Sequence, residues 1–155
     1  MLNLEIDIKP LDTNGVIPYD LLLLADPSKM LIDSYIDKGI CYLAKHKSDI
    51  IGEFVLIHTH PQTVEIVNIA VKETYQGQGI GRKLIIKAIE VAKQFKATSI
   101  EIGTGNSSIQ QLRLYQKCGF RITGIDHDFF IRNYEEEIFE DGIQCKDMIR
   151  LSMGL

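Results

Sequence analysis

Between residues 75 and 82 the chain reads YQGQGIGR, with Gly77, Gly79 and Gly81 at alternate positions. Just upstream, VEIVNIAV at 64–71 is an apolar run of strand length. Downstream, Ile80, Leu84, Ile85, Ala88, Ile89, Ala92 and Phe95 recur at helical spacing, with Arg82, Lys83, Lys87, Glu90 and Lys93 largely opposite them. A strand passing into an amphipathic helix in this way commits the chain to helices layered on a sheet. Glycine loses more backbone freedom on folding than any other residue, so three of them in a plain connector would be wasteful. Bare amides at the positive end of a long helix instead form a cradle for two linked phosphates, to which Arg82 can add charge.

Two familiar glycine loops fail on spacing. A nucleoside-triphosphate loop requires Gly-x-x-x-x-Gly-Lys-Ser/Thr, and here Leu84 stands where the hydroxyl should be. A dinucleotide fingerprint requires Gly-x-Gly-x-x-Gly, and counting from Gly77 the third glycine position is Arg82. A tight turn before a closely packed helix is the plain alternative. A coenzyme carrying pyrophosphate, such as coenzyme A, fits the cradle reading.

Along the rest of the chain, LEIDIK alternates Leu4, Ile6 and Ile8 with Glu5, Asp7 and Lys9, a strand stopped by Pro10. Two modest helices follow at 17–25 and 28–38, the second opened by Pro27 and Ser28. The runs 40–45, 50–59 and 64–71, separated by short turns, read as an antiparallel meander. After the helix at 79–95 come a strand at 98–104 and a helix opened by Asn106 or a neighbouring serine and closed by Gly119. Strands at 120–126 and 144–153 end the chain, and periodicity does not settle the form of the span between them. This order predicts an α/β fold of the α+β kind, one domain over 1–155 with a mixed sheet covered by helices.

Several function classes are disfavoured. The net charge of -4 argues against a nucleic-acid partner. The N-terminus lacks a basic patch followed by an apolar run, and Asp20 and Asp26 close off the leucines at 21–24, so neither secretion nor a membrane partner is expected. Cys41, Cys118 and Cys145 are odd in number and widely separated, which predicts free thiols in a cytoplasmic protein. His46, His58, His60 and His127 form no zinc spacing, and no metal is expected.

The stretch NIAVKETYQGQGIGRKLI at 68–85 resembles the signature of the GNAT family of N-acetyltransferases, Gln/Arg-x-x-Gly-x-Gly/Ala, with Gln76, Gly79 and Gly81 at the named positions. NSSIQQLRLYQKCGF at 106–120 is similar to the family's second signature through Asn106, Leu114-Tyr115 and Gly119-Phe120. The resemblance implies a GNAT-like, mostly antiparallel mixed sheet and acetyl-CoA as co-substrate. It further implies direct transfer of the acetyl group to a primary amine of a small molecule or protein.

By the same resemblance, backbone groups at Ile69, Ala70 and Val71 face the pantetheine arm. The amides of Gln76, Gly77, Gln78, Gly79, Ile80 and Gly81, with Arg82, hold the pyrophosphate, and Asn106 touches the cofactor. Tyr115 is the expected acid at the departing thiolate and Glu65 the expected base, with Glu53 in reserve. A backbone amide at the end of strand 64–71 is the expected oxyanion donor. Strand periodicity puts Glu65, Val67, Ile69 and Val71 on one face unless a bulge intervenes.

Plain alternatives stand beside these roles. Glu65 can be an ordinary strand acid, Tyr115 a packed aromatic, Ile69 and Val71 core residues, and Asn106 a helix cap. Asn68, polar within an apolar strand, is a weaker acceptor-side candidate. Cys118 has no local histidine, which argues against a covalent route. Acids and aromatics at 126–143 suit a cationic acceptor, or else form a solvated charge run. The rival function is a non-catalytic coenzyme-A-binding module, and a homodimer is a common state for such domains.

Overall fold

The structure, a computed structural model, describes residues 4–155. Strand β1, Asp7–Pro10, lies at a sheet edge, where a residue without an amide proton is tolerated. Helix α1 spans Tyr19–Ala25 and α2 spans Lys29–Ile36. As expected, Ser28 opens α2, its Oγ accepting from the Leu31 amide at 3.2 Å. Strands β2 (Ile40–His46), β3 (Asp49–His60) and β4 (Thr63–Val71) form the antiparallel meander.

A short 3-10 turn at Glu73–Tyr75 leads through the glycines into α3, Ile80–Gln94. Next come β5 (Ser99–Gly105), α4 (Ile109–Lys117) and β6 (Arg121–Asp126). The span periodicity left open holds a short helix, α5 (Phe129–Asn133), and strand β7 (Ile138–Glu140). The expected strand at 144–153 is two strands, β8 (Ile143–Cys145) and β9 (Met148–Gly154). The break has a specific cause, because Asn106 Oδ1 takes the amides of Lys146 and Asp147 at 2.7 and 3.0 Å and so removes them from any ladder. β8 turns back on β7 through Asp141 and Gly142, both at positive φ, the conformation a two-residue hairpin requires.

Seven strands form one mixed sheet in the order β1-β2-β3-β4-β5-β9-β6, and only the β4/β5 neighbours are parallel. Helices cover both faces. Ile80, Leu84, Ile85, Ala88, Val91 and Ala92 of α3 pack with Phe54, Leu56, Val64, Ile66, Ile100 and Ile102 of the sheet. Each large aliphatic side chain buried there contributes roughly 1.5–3 kcal/mol. On the opposite face Leu22, Ile32 and Ile36 of α1 and α2 pack with Cys41, Leu43 and Val55. Phe95, expected on the apolar stripe of α3, instead caps the helix and lies half-exposed against the His58 ring, centroids 5.6 Å apart.

Candidate active site

Strands β4 and β5 pair only from Thr63 and Ser99 to Ile66 and Ile102. Both run on, to Val71 and Gly105, without further pairing to each other. A V-shaped opening therefore lies at the centre of the sheet, lined on one side by the backbone of residues 67–71.

The glycines stand beside the end of β4. Gly77 and Gly79 have φ of 78° and 81°, and a Cβ built on either would meet nothing within 4 Å. They are required for backbone direction and not for space. The first backbone bond into α3 runs from the Lys83 amide to the Gly79 carbonyl at 3.2 Å. Among the described residues, the amides of Gly77, Gln78, Gly79, Ile80, Gly81 and Arg82 donate to no backbone carbonyl. The Gln76 amide, expected among these donors, is instead committed to the Glu73 carbonyl at 3.2 Å, and its side chain braces the turn, Nε2 donating to the Val71 carbonyl at 2.9 Å. The Ile80 side chain is buried in the core, so only its amide faces the turn. Arg82 is exposed and makes no ion pair among the described residues. Together these donors can bind a dianionic group at a helix N-terminus.

A bulge does intervene in β4. Asn68 pairs with Val55 and Ile66 with Leu56, so Val67 is the extra residue. The expectation of one shared face is thereby corrected: Ile69 and Val71 pack toward α3, whereas Val67 packs toward α1 and α2. Glu65, paired with Ile57 of the α1/α2 cluster, shares the face of Val67. Glu65 is half-buried, and burial is the main reason its carboxyl rises above the ordinary range, with the nearby Arg150 opposing and Glu101 reinforcing the rise. Ala70, between Ile69 and Val71 and paired with Glu53, is buried.

Glu53, the reserve base, is fully buried, and neither carboxyl oxygen has a hydrogen-bond partner among the described residues. Burial drives its pKa well above the ordinary 4.5. The folded chain thus holds this proton at pH values where the unfolded chain has released it. The resulting stability is complete below about pH 4.5 and is lost as pH rises toward the folded value. Glu53→Gln should therefore melt several degrees above the parent at pH 8 and nearly level with it at pH 4.5, each pKa unit of displacement being about 1.4 kcal/mol. Thermal melts across pH read this directly, and a parallel offset at all pH values would contradict it.

Tyr115 lies in α4 and is 5% exposed. Its hydroxyl makes no hydrogen bond within the protein among the described residues, and burial pushes it above the usual tyrosine range, so it keeps its proton. Asn106 does not cap α4; that position belongs to Ser108, whose Oγ donates to Glu140 Oε1 at 2.7 Å. Asn106 also donates from Nδ2 to the Gln144 carbonyl at 3.1 Å, which leaves one amide hydrogen uncommitted. Burial raises the thiol pKa of Cys118, Cys145 and Cys41, the last to about 12. All three cysteines are unpaired.

Much of the acidity at 126–143 is used internally. Asp126 pairs with Arg132 at 2.8 Å, and Glu140 holds Ser107 and Ser108, while Glu135, Glu136 and Glu137 lie exposed. The aromatic partner in this segment is Tyr134, stacked on Phe130 with centroids 5.6 Å apart. Its hydroxyl donates to Asp26 at 2.8 Å. The link between Asp26 and Tyr134 joins positions 108 residues apart, which no local spacing records; Tyr35, nine residues from Asp26, carried no motif that singled it out.

A family model described as the Acetyltransferase (GNAT) family matches residues 17–120. The chain is 63% identical over 137 residues to the uncharacterized N-acetyltransferase YvbK of Bacillus subtilis (strain 168), covering 88% of each. A crystal structure of a GNAT family acetyltransferase from Elizabethkingia anophelis with acetyl-CoA bound superposes with a TM-score of 0.95 at 55% identity, over 97% of this chain and 98% of that one. A Bacillus subtilis acetyltransferase in complex with CoA superposes with a TM-score of 0.92 at 58% identity, over 97% and 99%. Among the described residues no helix is long and apolar enough to cross a membrane, and no side-chain cluster could hold a metal ion.

Proposed function

The chain belongs to the GNAT acetyltransferase family and uses acetyl-CoA as co-substrate, and from that premise we propose that it transfers the acetyl group directly to a primary amine. The observation that carries this reading is the opening between β4 and β5 beside six amides without backbone acceptors. Acetyl-CoA supplies an activated thioester and a pyrophosphate. The amides from Gly77 to Arg82, with the Arg82 guanidinium, bind the pyrophosphate. The backbone of Ile69, Ala70 and Val71 pairs with the amides of the pantetheine arm as an added half-strand would.

Glu65 takes the proton of the attacking amine, directly or through one water, because a nucleophilic nitrogen must be neutral. Its raised pKa brings it nearer to neutrality than an exposed glutamate, which favours proton acceptance at physiological pH. Tyr115, held neutral by burial, gives its proton to the departing thiolate and can recover it from solvent. Burial keeps the thiols protonated, which supports direct transfer without an acetyl-cysteine. The unpaired cysteines support a cytoplasmic setting.

A panel of amines incubated with acetyl-CoA, followed by release of free thiol, tests the reaction and ranks acceptors together. The parent should show a rate that rises with pH through a step above the usual glutamate range. Glu65→Gln should lower kcat/KM by about 10²-fold and remove that step. A variant that retains both step and rate would exclude Glu65 as the base.

A further inference from the structure

Beside the α1/α2 face of β4 stands Asp26, a carboxyl group whose donors among the described residues include no cation; Glu65 has only Arg150 nearby, beyond ion-pair distance. Asp26 Oδ1 accepts from the Ser28 amide at 3.1 Å and from the Tyr134 hydroxyl at 2.8 Å, and Oδ2 accepts from the Tyr35 hydroxyl at 3.1 Å. All these donors are neutral. No lysine or arginine among the described residues comes within 4.0 Å of Asp26, Glu65 or Glu53.

The same network runs inward to the bulge. Asn68 Nδ2 donates to Tyr35 Oη at 2.9 Å and to the Leu22 carbonyl at 3.1 Å. Asn68 is only 3% exposed, and its Oδ1, on the same carboxamide, has no partner. Glu53, buried on the same face next to Ala70, is held as the neutral acid and adds no charge to this network. A buried acceptor without a donor costs about 1–3 kcal/mol, so a fold that keeps Asn68 Oδ1 beside a cleft is short of a donor that something else supplies. Burial and the Asp26 charge hold Tyr35 and Tyr134 in the neutral phenol form, so they offer rings and hydroxyls but no positive charge.

A carboxylate held by two tyrosine hydroxyls, with an unpartnered buried acceptor on the same network, complements an alkylammonium group. Asp26 stands two hydrogen bonds from Asn68, and Asn68 lies about 10 Å along β4 from Glu65. A nitrogen presented between them is thus a few carbon atoms from Asp26. We propose that Asp26, flanked by Tyr35 and Tyr134, binds the second, non-reacting ammonium of a diamine acceptor. This rests on the acetyl-transfer reading, in which Glu65 faces the reacting nitrogen.

Calorimetry on the CoA-saturated protein, with 1,4-diaminobutane against 1-aminobutane as probes, tests the assignment without relying on turnover. The parent should bind the diamine at least about tenfold more tightly than the monoamine, Asp26→Asn should erase that preference, and Tyr134→Phe, which keeps the charge and the ring, should retain it. Equal affinity for the two amines in the parent overturns the proposal and needs no variant. Equal loss of the preference in both variants also overturns it, because Asp26 would then be only a tether for residue 134. Titration of CoA itself separates the two levels: CoA bound with no diamine preference defeats this inference alone, whereas no CoA binding defeats the transfer reading beneath it as well.

Discussion

Tyr115→Phe lowers kcat for acetyl transfer by about 10²-fold or more while the dissociation constant for acetyl-CoA stays within about twofold. The change removes one oxygen and leaves the ring, which packs near Phe120 with centroids 6.4 Å apart, so the core is undisturbed. The hydroxyl has no protein partner among the described residues, and its loss orphans no other group. Catalysis should therefore suffer without a comparable loss of stability. Stopped-flow measurement of thiol release together with a binding titration checks both halves. Unchanged kcat would show that solvent protonates the thiolate and would reduce Tyr115 to a packing residue.

Gly79→Val weakens acetyl-CoA binding by about 10²-fold, and Gly124→Ala leaves it unaltered. A Cβ at either position meets nothing within 4 Å, so crowding cannot account for a difference between them. Only Gly79 has the left-handed φ of 81°. A β-branched side chain there costs roughly 1–2 kcal/mol or more and drives the backbone toward an ordinary conformation. The amides of Gly79 and Ile80 then turn away from their common focus. Affinity measured by calorimetry, with the melting temperature as a control for folding, gives the comparison. Equal affinities would mean that the turn does not hold the phosphates.

Elements whose signal is local were legible in the sequence. The apolar spacing of Leu84, Ile85, Ala88 and Ala92 gives α3, Ser28 gives the start of α2, and the three apolar runs give the meander. The glycines could be read as a turn with exposed amides because their positive φ is a property of single residues. Of the two readings for the start of α4, the neighbouring serine is the one met, with Ser108 at the cap, whereas the partners of Asn106, Gln144, Lys146 and Asp147, lie about forty positions away. The divided strand at 143–154 follows from the same remote contacts, although Asp141-Gly142 is a local hairpin signal that could have been read. In the sequence Asp26 served only as a charge closing off the leucines at 21–24. Its link to Tyr134 spans 108 positions, so no window along the sequence contains it, and Tyr35, only nine positions away, has no recognisable spacing to it.

Val67 gives β4 a property that a regular strand lacks. Upstream of it, even-numbered side chains such as Val64 and Ile66 address the α3 layer; downstream, odd-numbered ones such as Ile69 and Val71 do. Under the proposed transfer, a substitution at Glu65 or Asn68 alters the wall met by an incoming amine without touching the α3 packing of Ile69 and Val71. Descendants of this chain can exchange one acceptor for another through point changes on a single surface, while the machinery that grips the donor is inherited intact.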